Sequence, residues 1–124
     1  MGLDRRRRLV SRGDVWWVDL DPVRGSEAAK RRPAVIVGRD ALVKAAMTRA
    51  NGMVTVVPVT TNTTNVYPFQ VLLPAGTGGL PTASKAQAEQ IRTISVTRLV
   101  ERIGAVPPPV SNAIDNAIRL YLGL

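Results

Sequence analysis

The sequence predicts a mainly β (α+β) domain, a small barrel or half-barrel of short strands capped by a C-terminal amphipathic helix. Three observations predict it. Short runs rich in Val, Ile, Thr and Trp recur along the chain, cut off by Pro, Gly or Asn-Gly. One apolar stripe recurs at helical spacing near the end. The apolar share, 45% of 124 residues, suits one core, and with aromatics at 4% that core must be built from Val, Ile, Leu and Ala.

Taken in order, residues 1–11 read as a disordered basic arm, because Arg5 to Arg8 repel one another and offer no apolar face. Val15 to Leu20 is β-branched and aromatic, hence a strand, and Asp21-Pro22 ends it. Adjacent strand residues point to opposite faces, so of Trp16 and Trp17 at most one can stack on a base while the other belongs in a core. Residues 21–32 form a polar loop, and Pro33 to Gly38 a buried strand. Asp40 is placed to cap a short helix from Ala41 to Arg49 that offers Leu42, Ala45, Ala46 and Met47 for burial. Asn51-Gly52 turns the chain into a strand from Met53 to Thr60, in which Pro58 marks an edge or a bulge. Thr61 to Asn65 is a polar loop, Phe69 to Leu73 a strand stopped by Pro74, and Gly76 to Gly79 a loop. Ser84 to Ile94 is either a strand pair or one bent strand. Arg98 to Ile103 reads as a short helix or turn ended by Gly104, and Pro107-Pro108-Pro109 breaks the chain before the last helix. There Val110, Ala113, Ile114, Ala117, Ile118 and Tyr121 form the apolar stripe, with Asn112, Asp115, Asn116 and Arg119 opposite.

Composition narrows the function. Without cysteine there is no disulfide, thiolate zinc site or cysteine nucleophile. Without histidine the usual general base and the commonest metal ligand are missing too. Lys plus Arg number 17 against 9 Asp plus Glu, a net +8. Five arginines against Asp4 give residues 1–12 a net +4, which leaves +4 for residues 13–124. A basic body suits an anionic partner, nucleic acid or acidic protein, or simply keeps a small protein in solution. No apolar run reaches the roughly 18 residues needed to span a bilayer. Leu9-Val10 is too short for a signal-peptide core, so no membrane is expected and the cytoplasm is the expected compartment.

The order of segments carries more than any one of them. Arg12-Gly13-Asp14-Val15-Trp16-Trp17-Val18-Asp19-Leu20-Asp21-Pro22 is followed by Gly25-Ser26-Glu27, then Arg32-Pro33 and the strand Ala34-Val35-Ile36-Val37. Val56-Val57-Pro58-Val59-Thr60 and Glu89-Gln90-Ile91-Arg92-Thr93-Ile94 complete the series. In order and spacing these blocks resemble the MazF/PemK-type toxins over residues 12–124, read as one domain. The resemblance implies an SH3-like small barrel of the MazF/PemK/CcdB toxin type, with a short insertion helix and the C-terminal helix. It implies a homodimer that cuts single-stranded RNA without a metal or cofactor, using the 2′-hydroxyl to leave a 2′,3′-cyclic phosphate and a 5′-hydroxyl, and so stops translation and growth. It further implies an antitoxin partner whose acidic, disordered tail fills the RNA groove.

Such cleavage needs a group to take the 2′-hydroxyl proton, stabilisation of charge at phosphorus, and help for the leaving 5′-oxygen. Arg32 ends a polar loop just before a rigid proline, and a guanidinium holds two phosphate oxygens at once. It matches the family's functional arginine before proline, and Thr60 matches the threonine that the family places beside it. Taken alone, both also read as ordinary loop and strand-end residues. Alternation puts Lys85, Gln87 and Glu89 on one face, where Glu89 takes the proton and Lys85 holds phosphate, or where Glu89 and Arg92 form a structural ion pair. Some relatives carry Arg-x-Asp in place of Gln87-x-Glu89 and histidine in place of Ser26, which favours the Arg32/Thr60 scheme over a His/Asp one. Arg24, Ser26, Glu27, Lys30 and Arg31, with Thr61 and Asn62, are polar and movable, suited to splayed bases and phosphates. Two rivals share the scaffold: a gyrase-poisoning toxin that acts through its C-terminal helix, and a non-catalytic RNA-binding barrel.

Overall fold

The computed structural model describes residues 10–20 and 31–124. Seven strands make one antiparallel sheet: β1 (Asp14–Asp19), β2 (Arg31–Val37), β3 (Met53–Thr60), β4 (Gln70–Leu73), β5 (Ser84–Gln87), β6 (Arg92–Ser95) and β7 (Leu99–Ala105). Helix α1 (Asp40–Met47) joins β2 to β3, and α2 (Pro108–Leu122) closes the chain. The strand order is β4-β5-β3-β2-β1-β7, with β6 also on β3. Among the described residues no ladder joins β4 to β7, so the expected barrel is open, a half-barrel.

β3 is the hub. One edge pairs with β2; on the other, β6 takes Met53 to Val56 and β5 takes Val59 and Thr60. Pro58 falls between those two ladders. The edge or bulge expected at Pro58 is therefore a change of partner, the place where a missing N–H costs least.

Both faces of the sheet are packed, which is why β2 and β3 read as unbroken apolar runs rather than as alternation. On one face Trp16, Val18, Ala34, Ile36, Val54 and Val56 bury against Val43 and Met47 of α1. On the other Val15, Val35, Val37, Val57, Val59 and Leu73 bury against Ile114 of α2, with Val110 and Ile118 half-buried beside it. Ile114 alone contributes about 1.5–3 kcal/mol of apolar burial. Among the described residues no helix is long and apolar enough to cross a membrane.

Several elements differ from the sequence reading. Val10 and Ser11, placed in the basic arm, are packed: Val10 is fully buried, and Lys44 Nζ donates to the Val10 carbonyl at 2.7 Å. Asp40 does not cap α1 but is its first residue, and its carboxylate accepts the Arg12 N–H at 2.8 Å, tying α1 to the start of β1. Within α1 Val43 and Met47 are buried, while Leu42 and Ala45 face out. The region from Ser84 to Ile94, by contrast, follows one of its two expected alternatives: it is a pair of strands, joined by a 3-10 turn at Ala88–Gln90. The helix or turn expected over Arg98 to Ile103 is a 3-10 turn at Val96–Arg98 followed by β7. The prolines start α2 rather than merely precede it, because the first helical positions need no N–H partner. Gly104, expected to end a helix, lies inside β7, where a Cβ would stand 2.4 Å from the Gly78 carbonyl oxygen. Only glycine lets the Thr77–Gly79 turn approach β7 so closely.

Candidate functional site

β1, β2 and β3 bring the first part of the site together. Trp17 pairs with Pro33, Val18 with Arg32 and Asp19 with Arg31. Ala34 pairs with Pro58 in the last rung between β2 and β3. Their ends border a cleft of about 350 Å³, lined from these strands by Trp17, Arg31, Arg32, Pro33, Val59 and Thr60. Thr61 and the segment from Leu80 to Ser84 supply the far wall.

The two arginines differ in electrostatic state. Arg31 Nε donates to Asp19 Oδ1 at 3.0 Å. Arg32 is exposed and makes no ion pair with a described residue, so its guanidinium donors are open to a ligand. Thr60 Oγ1 accepts the Asn62 N–H at 3.2 Å, and Asn62 Oδ1 accepts the Thr64 N–H at 3.2 Å. Because Thr60 Oγ1 is already an acceptor, its O–H is left to donate outward. Trp17, 39% exposed, presents an aromatic wall beside these donors, while Trp16 is buried in the core, which is the split that strand alternation requires. No carboxylate or imidazole lines the cleft among the described residues. Two guanidinium groups, hydroxyls and an indole make it a receptor for an anion attached to a flat, partly apolar group.

Not every candidate arrives there. Glu89 leaves the strand alternation because the turn at Ala88–Gln90 intervenes, and it does not line the cleft. Its Oε2 accepts the Gln70 side-chain amide at 2.6 Å, while its Oε1 is buried with no hydrogen-bond partner among the described residues. Gln87 lies opposite Gln70 in the β4–β5 ladder. Lys85 is directly opposite Thr60 but is 7% exposed, and its ammonium donates to the Asn65 carbonyl. Thr61 borders the cleft, and Asn62 follows it in the same loop. Arg24, Ser26, Glu27 and Lys30 lie outside the described residues. The sequence reading named neither Thr82 nor Ser84 as a site residue; a Gly-rich stretch running into Leu80-Pro81-Thr82 was the only signal, and it read simply as loop. Among the described residues no group of three or more His, Cys, Asp or Glu side chains is placed to hold a metal ion.

Comparison with known proteins identifies the family and agrees with the fold. The family model for the PemK-like, MazF-like toxin of type II toxin–antitoxin systems matches residues 11–122. Endoribonuclease MazF9 of Mycobacterium tuberculosis is 51% identical over 116 residues, covering 94% of this chain and 98% of that protein. A crystal structure of MazE-MazF from Deinococcus radiodurans superposes with a TM-score of 0.75 at 26% identity, covering 94% of this chain and 97% of that one. An endoribonuclease in complex with its cognate antitoxin, from a mycobacterial species, superposes with a TM-score of 0.71 at 27% identity, covering 93% and 96%. With nearly its whole length matched in sequence and in fold, the chain belongs to the PemK-like, MazF-like toxin family of type II toxin–antitoxin systems.

Proposed function

We propose that this chain is the toxin of a toxin–antitoxin pair, a sequence-selective endoribonuclease that cuts single-stranded RNA without a metal ion and so halts translation and growth. The observation that carries the reading is the exposed Arg32, without an ion pair among the described residues and sharing with Thr60 the lining of a cleft whose described lining holds no carboxylate. A carboxylate there would repel phosphate; a free guanidinium attracts it and binds two of its oxygens.

In the reaction the 2′-hydroxyl oxygen bonds to phosphorus while the bond from phosphorus to the 5′-oxygen breaks. The products are a 2′,3′-cyclic phosphate and a 5′-hydroxyl. Arg32, a permanent cation, stabilises the developing negative charge and is not the base. Thr60 donates its O–H to a phosphate oxygen. The 2′-hydroxyl proton passes to water, and a proton from solvent completes the 5′-hydroxyl. Trp17 offers its ring to the base beside the scissile phosphate, since unstacked bases of single-stranded RNA are held on aromatic faces. Selectivity among bases falls to the loops bordering the cleft: Arg31, Thr61 and Asn62, with Arg24, Ser26, Glu27 and Lys30 from residues 21–30.

The toxin acts as a homodimer in the cytoplasm, where its substrate is. Its antitoxin covers the cleft with an acidic, disordered tail, an arrangement that the net charge of +8 favours. The test is incubation with a long single-stranded RNA in EDTA beside Arg32→Ala and Thr60→Ala, with the ends mapped. Discrete cuts with the stated ends, lost in both variants, are expected. A folded wild-type protein that leaves every RNA intact refutes the nuclease.

A further inference from the structure

We infer that Lys85 is a positioning residue for Thr60: a buried cation that fastens the loop leaving Thr60 and does not itself touch RNA. This rests on the nuclease reading of the cleft and adds to it a residue that acts through another.

A lysine is rarely almost wholly buried unless its charge has a local task. At 7% exposure Lys85 sits in β5 with Thr60 as its ladder partner on one side and Leu72 on the other. Its ammonium donates to the Asn65 carbonyl and lies 5.9 Å from the centre of the Tyr67 ring. A carbonyl oxygen and an aromatic face satisfy a cation without adding a carboxylate that would repel phosphate nearby. Both contacts belong to the segment between Thr60 and β4. The near end of that segment is held by the Asn62 N–H on Thr60 Oγ1. Its far end is held by the Tyr67 N–H on Gln70 Oε1, with Gln70 in turn donating to Glu89. Lys85 secures the middle, and it does so from the residue directly opposite Thr60.

The consequence is specific. Without the ammonium, the segment around Asn65 and Tyr67 is released, the Asn62 N–H drifts from Thr60 Oγ1, and the hydroxyl loses its fixed direction. RNA still finds Arg32 and binds. Chemistry slows because one donor is no longer aimed.

Lys85→Met keeps the length of the stem and removes the charge, and Lys85→Arg restores a cation. Three quantities separate the readings: amide exchange at Asn62, affinity for an RNA carrying a 2′-deoxy sugar at the mapped cleavage site, and the single-turnover rate at saturating RNA. In Lys85→Met, Asn62 exchange rises on the order of tenfold, affinity stays within about twofold with its salt dependence unchanged, and the rate falls roughly 10- to 100-fold. Lys85→Arg recovers most of the rate. A phosphate ligand behaves oppositely, with weaker affinity, a log–log salt slope shallower by about 0.7, and a preserved saturating rate, and that result overturns the inference. Unchanged exchange and rate overturn it as well. Should Lys85→Met fail to fold, Tyr67→Leu removes the exposed ring under the ammonium, and the same three quantities decide in the same directions. A wild-type protein that cuts no RNA defeats the nuclease reading alone, and the clamp then stands or falls on Asn62 exchange.

Discussion

Arg31 and Arg32 are sequence neighbours that line the same cleft, and what separates them is an ion pair. Arg31 is held across the β1–β2 ladder by Asp19, so its charge is partly spent inside the fold; Arg32 has no such partner among the described residues. On the proposed mechanism, removing Arg32 removes charge stabilisation and no ion pair to a described residue. Arg32→Ala is expected to lower kcat/KM by on the order of 10²–10³ with Tm unchanged, and Arg32→Lys to restore only part, because an ammonium cannot grip two oxygens at once. Steady-state cleavage assays beside thermal melts check both. Asp14 is the reverse case, a carboxylate spent entirely on structure. Buried at 3% exposure, it accepts the Ser11 N–H at 3.0 Å, the Trp16 indole N–H at 3.3 Å and Arg102 at 3.4 Å. Asp14→Ala strands those donors and should cost about 1–3 kcal/mol in denaturant unfolding.

Among the elements, those with strong local signatures were legible and those defined by their neighbours were not. Strands β1, β2 and β3 announced themselves through β-branched runs, and α2 through its stripe. β7 did not, because Leu99-Val100-Glu101-Arg102-Ile103-Gly104-Ala105 carries charges mid-strand. Among the described residues the one ladder of β7 is with β1, and exposed charges suit a strand at such an edge. Glu89 was misplaced for a related reason: nothing in Ala88-Glu89-Gln90 marks a break, yet the chain turns there and takes the carboxylate to Gln70. In the candidate site, Arg32 and Thr60 could be named from family resemblance, but their meeting at one cleft is a fact of tertiary structure that no single segment encodes. Two substitutions probe these elements. Ile114→Ala should cost about 2–5 kcal/mol by opening a cavity under α2. Gly104→Ala should destabilise measurably although it adds only one methyl, since that carbon would meet the Gly78 carbonyl; a denaturant midpoint equal to wild type would contradict the close approach.

For the molecule as a whole, charge and the absence of histidine set the behaviour. With no imidazole anywhere in 124 residues, the saturating cleavage rate should climb through pH 6–8 without a bell whose limbs fall near neutrality, since no side chain titrates there unless strongly perturbed. A bell-shaped profile would mean a displaced carboxylate or amine at work. Affinity for uncleavable RNA should fall with salt, and Arg32→Ala should flatten the log–log slope by roughly 0.7, the share of one phosphate contact on a single strand.

The double-sided burial of β3 has a consequence for how the active arrangement is reached. In a sheet with one wet face, sliding a strand by one residue exposes its apolar set and is rejected at once. Here both faces of β2 and β3 are apolar, so a slipped pairing still buries oil on either side and escapes that penalty. It would, however, shift Arg32 along the rim of the cleft relative to Thr60. The pair of strands works like a vernier whose scale is read only at its end, while β3 itself is set against β6 by the Thr55–Thr93 hydroxyl pair, 2.9 Å apart. Refolding should then show secondary structure returning ahead of nuclease activity, the lag being the time that mis-set strands take to find their mark.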